Sequence, residues 1–332
     1  MRVAVIGAGA VGGTIASLLD RAGHEVEVTA RGATLAAIRE HGLRLDGAWG
    51  EHTARLAASE TLTRTPELAF LTTKAQDAEA ALTASAEHLR GTPLVVVQNG
   101  LEGLDTVHRV LPGVEAFGAL ALYAAQNVEP GRVTVTAAGT TVVDRSREAT
   151  ALLASVMPAR VTDRFRGAQW TKLVINMVNG TPAATGLSVQ QTVADPLLRP
   201  VVTGLIREAA RAGLAHGVRF DAIQGLSHPV VRLVAVAPPW AAALVPRLMA
   251  RRMGEVPNLG STLQSIRRGR RTEIDYLNGA VVAQSAEVGL AAPVNAAITD
   301  GVHEVERSGR FFTPAELSAL VAARVARVSR SR

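Results

Sequence analysis

A strand, a glycine-rich turn and a helix open the chain, and they constrain its fold more than any other feature. Residues 2–6 form a short apolar run typical of a strand that is buried on both faces of a parallel sheet. The run leads into three glycines with the spacing G-x-G-x-x-G, namely Gly7, Gly9 and Gly12. A helical pattern follows over residues 11–21, and residues 24–30 predict a second strand. The first 31 residues therefore predict a complete βαβ unit.

Each glycine of this turn has its own predicted role. Gly7 allows a tight turn, Gly9 lets the backbone approach a pyrophosphate, and Gly12 lets the helix pack closely on the strand. The pyrophosphate would lie at the helix N-terminus, where free N–H groups and the helix dipole favour negative charge. A glycine turn alone is weak evidence, but here it stands between a strand and a helix. We therefore predict a dinucleotide site at Gly7, Ala8, Gly9, Ala10, Val11 and Gly12.

The end of the second strand indicates which dinucleotide binds. NAD and FAD sites usually have an aspartate or glutamate there, which holds the ribose 2′-OH. This chain instead has Thr29, Ala30 and Arg31. Arg31 can pair with a 2′-phosphate and stack on adenine, so we predict NADP(H) rather than NAD or a flavin. The alternative is an ordinary solvated arginine.

Two further strand ends carry polar residues. Lys74 follows a predicted strand at residues 67–71, and Asn99 follows one at residues 94–97. The carboxyl ends of parallel strands line the crevice where open α/β sheets bind ligands. We therefore predict that Lys74 contacts the cofactor and that Asn99 contacts both cofactor and substrate. The alternatives are an exposed lysine in a first helical turn and an Asn-Gly turn without a ligand role.

The strand and helix patterns change character near residue 165. Before it, we predict a strand, a hairpin that closes the sheet edge, a helix and a last strand, at residues 118–122, 132–143, 149–157 and 161–164. Beyond Gly167, helical patterns continue to the end. The predicted fold is α/β, with an N-terminal NADP-binding, Rossmann-type doubly wound sheet over residues 1–165. An all-helical substrate and catalytic domain follows over residues 166–332.

Composition excludes several classes of protein. The chain has no cysteine, which excludes disulfides, zinc–thiolate sites and cysteine nucleophiles, and no metal-site motif is present. The longest apolar region, residues 230–248, is interrupted by Arg232 and prolines, so no membrane span is predicted. The net charge is +6, which would suit nucleic-acid binding. Aromatic residues are only 3% and no nucleic-acid motif occurs, so we do not predict a nucleic-acid partner. We expect a cytoplasmic protein with a small-molecule substrate, in which residues 233–244 form either core or a homodimer contact.

An apolar helical segment at residues 170–179 has three polar residues on one face. At about 100° per residue, Lys172, Asn176 and Asn179 fall within a narrow arc. Buried lysines are rare unless they are paired or functional. Desolvation beside a cationic nicotinamide would lower the pKa of Lys172 and suit it to proton donation near neutrality. The alternative is a surface helix with a solvated lysine.

Two later segments contain candidate substrate contacts. Asn258 or Ser261 can start one helix, and Thr272 can start another with Glu273 in its first turn. One unbroken helix would place Ser261 and Glu273 about 18 Å and about 120° apart. We therefore predict a break near Gly269, which would let both side chains reach one pocket. Alternatively, these residues are ordinary caps, and Glu273 only complements a helix dipole.

Together, these motifs resemble the ketopantoate reductase family. The shared pattern is the glycine turn, an arginine after the second strand, a lysine, an Asn-Gly turn, W-x-K-L-x-x-N, and N-x-x-S followed by T-E-I-D-Y-x-N-G. The resemblance implies NADPH-dependent reduction of a 2-keto acid, ketopantoate to pantoate in pantothenate biosynthesis. It implies that Lys172 is the general acid and that Glu273 orients the lysine and the substrate hydroxyl. The implied substrate contacts are Asn99, Asn176, Asn258 and Ser261, with Asn179 close to this set.

The chain also departs from the family pattern. Well-known members have a second asparagine where this chain has Gly180, and Asn179 lies one position earlier. They often have an aspartate at the position of Ser265, and the stretch at residues 230–257 looks longer than usual. These differences leave open a relative that reduces another 2-keto acid. A sensor that binds NADPH without turnover is a further alternative, although both Lys172 and Glu273 are present.

Overall fold

The first strand becomes an interior strand of a large sheet with parallel neighbours on both sides. We describe the fold from a computed structural model, which covers residues 1–252 and 257–330 and divides into two compact units, Met1–Phe165 and Arg166–Arg332. The strands of the first unit are β1 (Arg2–Ile6), β2 (Glu25–Thr29), β3 (Leu43–Gly47), β4 (His52–Ala54), β5 (Ala57–Ser59), β6 (Leu68–Leu71), β7 (Leu94–Val97), β8 (Ala116–Ala121), β9 (Ala124–Glu129), β10 (Arg132–Ala137), β11 (Thr141–Asp144) and β12 (Ala159–Thr162).

Eight of these strands form the large sheet, in the order β12-β11-β8-β7-β6-β1-β2-β5. All neighbouring pairs are parallel except β8 with β11. Val3 of β1 lies opposite Val26 of β2 on one side and Leu68 of β6 on the other. β6 and β7 are buried along their whole length. Their sequences are accordingly continuous apolar runs rather than alternating apolar and polar residues.

Helices cover both faces of this sheet, which makes it doubly wound. They are α1 (Ala10–Arg21), α2 (Gly32–His41), α3 (Ala75–Ala84), α4 (Ala86–Leu89), α5 (Gly103–Val110) and α6 (Arg147–Ala154). Val3 and Val5 of β1 belong to a core cluster with α1, α2 and α6. Ala4 and Ile6 belong to a second cluster with α3, α4 and α5. The predicted Rossmann-type sheet is confirmed.

The predicted hairpin at residues 132–143 is wrong. β10 pairs with β9 and β3 in a second, four-stranded sheet of order β4-β3-β10-β9, whereas β11 pairs with β8 and β12 in the large sheet. Gly139 does not adopt the positive φ of a tight hairpin turn. It is instead close-packed, because an ideal Cβ there would lie 2.3 Å from the Leu122 carbonyl oxygen. The small sheet packs on α1, where Gly13 faces Val133.

The second unit is helical. Its helices are α7 (Phe165–Asn176), α8 (Gly180–Thr185), α9 (Val189–Ala194), α10 (Leu198–Ala215), α11 (His228–Val236), α12 (Pro239–Ala242), α13 (Leu244–Arg252), α14 (Gly260–Arg267), α15 (Ala280–Glu287), α16 (Pro293–Ser308) and α17 (Pro314–Arg330). A 3₁₀ turn covers Met177–Asn179, and a π-helical segment covers Asp275–Gly279. The long helix α10 is central and packs against α9, α11, α15 and α16.

The stretch at residues 230–257 includes most of α11 and all of α12 and α13. Residues 253–256 of that stretch lie outside the described part of the chain. Among the described residues, no helix is both long enough and apolar enough to span a membrane.

Candidate active site

The glycine turn is tied to the end of the neighbouring strand. Gly7 has a φ of +105°, which favours glycine, and its N–H donates to the Thr29 hydroxyl at 3.0 Å. The next amide, of Ala8, donates to the Thr29 carbonyl at 2.9 Å. The turn thus begins at the carboxyl end of β1 and is held against β2. Thr29, the last residue of β2, supports the turn, and the glycine spacing alone does not reveal it.

Gly12 and Gly9 differ in their surroundings. An ideal Cβ on Gly12 would lie 2.0 Å from the Gly7 carbonyl oxygen and 2.2 Å from the Thr72 hydroxyl. Gly12 therefore packs on the turn and on the residue after β6, and only glycine fits. A Cβ on Gly9 would meet no described atom within 4 Å, and Gly9 is the N-cap residue of α1 without a side-chain cap. This open, uncapped helix N-terminus fits the pyrophosphate of a dinucleotide.

Arg31 lies just beyond β2 with an exposed side chain. Its guanidinium nitrogen Nη2 is 3.5 Å from Oδ1 of Asp77, and 71% of the Arg31 side chain and 45% of the Asp77 side chain are exposed. Asp77 comes from the first turn of α3. The residues at the end of β2 do not reveal this carboxylate, because Asp77 belongs to a different element, α3.

Lys74 and Asn99 follow β6 and β7, and both are half-buried. Lys74 is the N-cap residue of α3. The side-chain amide of Gln98 donates to the Thr73 carbonyl at 2.7 Å and so links the two strand ends. Because β6 and β7 are parallel neighbours, these residues follow adjacent carboxyl ends of the sheet, as the glycine turn does.

Lys172 lies on α7 and is only partly exposed. Burial of its amine lowers the pKa of Lys172 to about 8. Within residues 1–252 and 257–330 its side chain has no hydrogen bond and no ion pair, including with Glu273. A lysine with this pKa is largely protonated at neutral pH and can release its proton readily.

Two asparagines accompany this lysine. Asn176, one helical turn on, is buried with 7% exposure. The predicted single helix over residues 170–179 is wrong in its last turn, because Met177–Asn179 forms a 3₁₀ turn. Side chains three residues apart align in 3₁₀ geometry, so Asn176 and Asn179 share a face.

Asn179 and Asn258 meet at the start of α14. An ideal Cβ on Gly260 would lie 2.6 Å from the Asn179 side-chain oxygen. The Gly260 N–H donates to the Asn258 side-chain oxygen at 2.9 Å. The backbone N–H of Asn258 in turn donates to the Gln190 side chain at 2.9 Å, which fixes the loop on α9. Ser261 lies in the first turn of α14 and is exposed.

The predicted break near Gly269 is confirmed. α14 ends at Arg267, and Gly269 has a φ of +61° with its N–H bonded to the Ile266 carbonyl. Glu273 is half-buried and lies two residues before the π-helical segment, with its carbonyl accepting from the Tyr276 N–H at 3.0 Å. Such segments are rare and are frequently found at functional sites.

Comparison with known proteins decides the family. The sequence model of the ketopantoate reductase PanE/ApbA family matches residues 3–148, and that of the family's C-terminal part matches residues 164–306. The chain belongs to the ketopantoate reductase family. Members of this family are oxidoreductases, so the protein is an enzyme of that class.

Curated relatives and solved structures agree with this family. The chain is 26% identical to a 2-dehydropantoate 2-reductase of Pyrococcus horikoshii over 89% of this chain and 94% of the relative. The PanE/ApbA family ketopantoate reductase structure from Ralstonia eutropha JMP134 is 29% identical, with a TM-score of 0.79 over 92% of this chain and 99% of that one. D-mandelate dehydrogenase, solved with NADH and anilino(oxo)acetate, shares the fold at 23% identity, with a TM-score of 0.78 over 93% of this chain and 99% of that one.

Two of the departures from the ketopantoate reductase pattern, Gly180 and Ser265, have defined surroundings in the structure. Gly180 is buried, and an ideal Cβ there would lie 2.6 Å from the Ile298 methyl Cγ2 and 3.0 Å from the Asn278 side-chain oxygen. An asparagine does not fit at this position without movement of its neighbours. The Ser265 hydroxyl donates to the Ser261 carbonyl at 3.1 Å, within α14.

We expect Gly180→Ala to lower the free energy of unfolding by about 1–3 kcal/mol, because the added methyl group overpacks a filled core. Urea denaturation measures this change. Gly301→Ala, in α16, is the matched control, since an ideal Cβ there has only ordinary contacts of 3.6 Å or more. The control should be neutral or stabilising by up to about 1 kcal/mol. Equal stability of both variants would contradict the packing explanation for Gly180.

Proposed function

We propose that the protein reduces a 2-keto acid to a 2-hydroxy acid with NADPH, with ketopantoate as the first candidate substrate and pantoate as its product. The observation that carries this proposal is the half-buried Lys172, whose pKa is lowered to about 8 and whose amine has no ion pair in the described residues. Asn176, Asn179 and Asn258 supply amide groups in the same unit for holding a polar substrate.

The lysine content of the chain supports this role. Lys74 and Lys172 are the only lysines among 35 Lys and Arg residues, and the sequence patterns predict both as site residues. Elsewhere the chain uses arginine, which keeps its charge but cannot give up a proton in the accessible pH range. A lysine at position 172 therefore fits a function that needs proton release.

The proposed chemistry needs a cation and a proton at one oxygen. When bound, NADPH supplies the hydride that the keto carbon accepts. The carbonyl oxygen then gains negative charge, which the Lys172 ammonium stabilises before donating its proton to form the hydroxyl. Lys172 regains the proton from water. Gly9, Gly12, Arg31, Lys74 and Asn99 are proposed to hold the cofactor.

Glu273 is proposed to orient the substrate hydroxyl and, with substrate present, the lysine. Glu273→Gln should lower kcat/KM by about tenfold to a hundredfold, since it removes one charge-assisted hydrogen bond to the reacting group. Steady-state kinetics measure the change. Asp275→Asn is the matched control, because this exposed acid two residues later pairs with His303 at 2.8 Å. If both variants lose activity equally, or Glu273→Gln keeps normal turnover, Glu273 has no place in the site.

The test of the whole proposal is oxidation of NADPH, followed by absorbance, with ketopantoate and with a panel of other 2-keto acids. Phenylglyoxylate, the keto acid that corresponds to mandelate, belongs in the panel. Rapid turnover of ketopantoate alone would establish the substrate. Turnover only of another keto acid would keep the reaction class and replace the substrate. NADPH binding without turnover of any compound would favour the sensor alternative.

A further inference from the structure

We propose that Asp77 limits the preference of this enzyme for NADPH over NADH by competing with the adenosine 2′-phosphate for Arg31. The inference rests on the proposed function in one respect, namely that Arg31 binds the 2′-phosphate. It adds a second residue, on another element, that sets how strongly this contact discriminates between the two cofactors.

Arg31 and Asp77 belong to different elements, and their side chains lie next to each other. Arg31 precedes α2 as its N-cap residue, and Asp77 is the third residue of α3. Nη2 of Arg31 is 3.5 Å from Oδ1 of Asp77. In the part of the chain that the structure describes, this is the only hydrogen bond or ion pair of the Arg31 side chain. The cation predicted to bind the 2′-phosphate therefore already lies beside a carboxylate.

This pair acts differently on the two cofactors. A 2′-phosphate carries close to two negative charges, so it must displace Asp77 from Arg31 or share the arginine with it. It also meets direct repulsion from the carboxylate at short range. The ribose of NADH has a neutral 2′-hydroxyl, which can donate a hydrogen bond to a carboxylate instead. Asp77 therefore weakens NADPH binding and leaves NADH binding unchanged or stronger.

A purely structural role for Asp77 predicts something else. An acid in the first turn of α3 also complements the helix dipole, which would affect stability but not cofactor choice. Glu79 lies on the same helix and pairs with Arg109 at 3.0 Å, so Glu79→Gln removes the same charge away from Arg31. This variant is the matched control.

The experiment measures the Kd of NADPH and of NADH by nucleotide fluorescence on the full chain, without substrate. Asp77→Asn should lower the Kd of NADPH by about threefold to tenfold, the order of exposed charge interactions. The Kd of NADH should stay within about twofold of the value for the unaltered protein, or should rise. Arg31→Ala should reduce the preference for NADPH. In the Arg31→Ala background, Asp77→Asn should tighten NADPH binding less than it does in the unaltered protein. High salt should shrink the effect of Asp77→Asn.

The outcomes separate this inference from the proposed function. An unchanged ratio of the two Kd values in Asp77→Asn, or the same change in Glu79→Gln, would overturn the role of Asp77 alone. An NADPH affinity that does not depend on Arg31 would overturn both the predicted phosphate contact and this inference. If the unaltered protein binds neither nucleotide, the proposed cofactor is wrong as well. A selective gain for NADPH in Asp77→Asn, absent from Glu79→Gln, supports the inference.

Discussion

Replacing Lys172 with alanine should lower the kcat of keto-acid reduction by about a hundredfold to ten-thousandfold, the range that general acids contribute. The loss should fall on turnover, because NADPH contacts are proposed for residues of the first unit. Steady-state kinetics and fluorescence titration of NADPH measure the two quantities separately. Lys172→Arg is the matched variant, since it keeps the positive charge but removes a proton that can be released near neutral pH. An equal loss of kcat and of NADPH affinity in Lys172→Ala would contradict the role.

The same residue predicts the pH dependence. The pKa of Lys172 is lowered to about 8 by burial, and the protonated form is the acid. Reduction should therefore be fast below pH 8 and should decline as the pH rises through about 8. Oxidation of the hydroxy acid needs the neutral amine, so its rate should rise over the same range. Lys172→Arg should lose this transition in both directions.

The small number of lysines allows a direct check of this pKa. Because the chain has only Lys74 and Lys172, a Lys74→Arg variant leaves one side-chain amine for an amine-specific reagent. The extent of labelling at Lys172, located by mass spectrometry at a series of pH values, reports its titration. A midpoint near the ordinary value of about 10.4 would remove the physical basis of the proposed acid.

The local motifs of the chain could be predicted because each depends on neighbours in sequence. A buried strand that runs into a G-x-G-x-x-G turn specifies its own geometry, and the structure has Gly7 at positive φ and Gly12 in close contact with that turn. The break at Gly269 was predicted on different grounds, because one unbroken helix would hold Ser261 and Glu273 about 18 Å apart. The structure has Gly269 at positive φ, just after the end of α14.

Features that depend on distant contacts could not be predicted. The alternating pattern of β10 fits a hairpin with β11 equally well, and only its pairing with β3 and β9 assigns it to the second sheet. The Arg31–Asp77 pair joins residues 46 positions apart. The reason for Gly180 is likewise a contact with Ile298, on α16, which no local spacing reveals.

Alanine substitutions at Gly12 and at Gly9 should separate an effect on stability from an effect on cofactor binding. Gly12→Ala would place a methyl group 2.0 Å from the Gly7 carbonyl oxygen and 2.2 Å from the Thr72 hydroxyl. Backbone must move to relieve such contacts, so we expect a loss of about 3 kcal/mol or more in the free energy of unfolding. NADPH binding should be lost with it, because the turn itself is displaced. Thermal denaturation and fluorescence titration measure the two effects.

Gly9→Ala is the matched variant and should give the opposite combination. Gly9 has φ −81° and ψ −164°, which alanine adopts readily, and a Cβ there meets no described atom within 4 Å. Stability should therefore change by no more than about 0.5 kcal/mol. NADPH affinity should still fall by about tenfold or more, because the methyl group occupies the space through which the pyrophosphate approaches the helix N-terminus. Undiminished affinity in Gly9→Ala would mean that the nucleotide does not bind at this turn, whatever the effect of Gly12→Ala on folding.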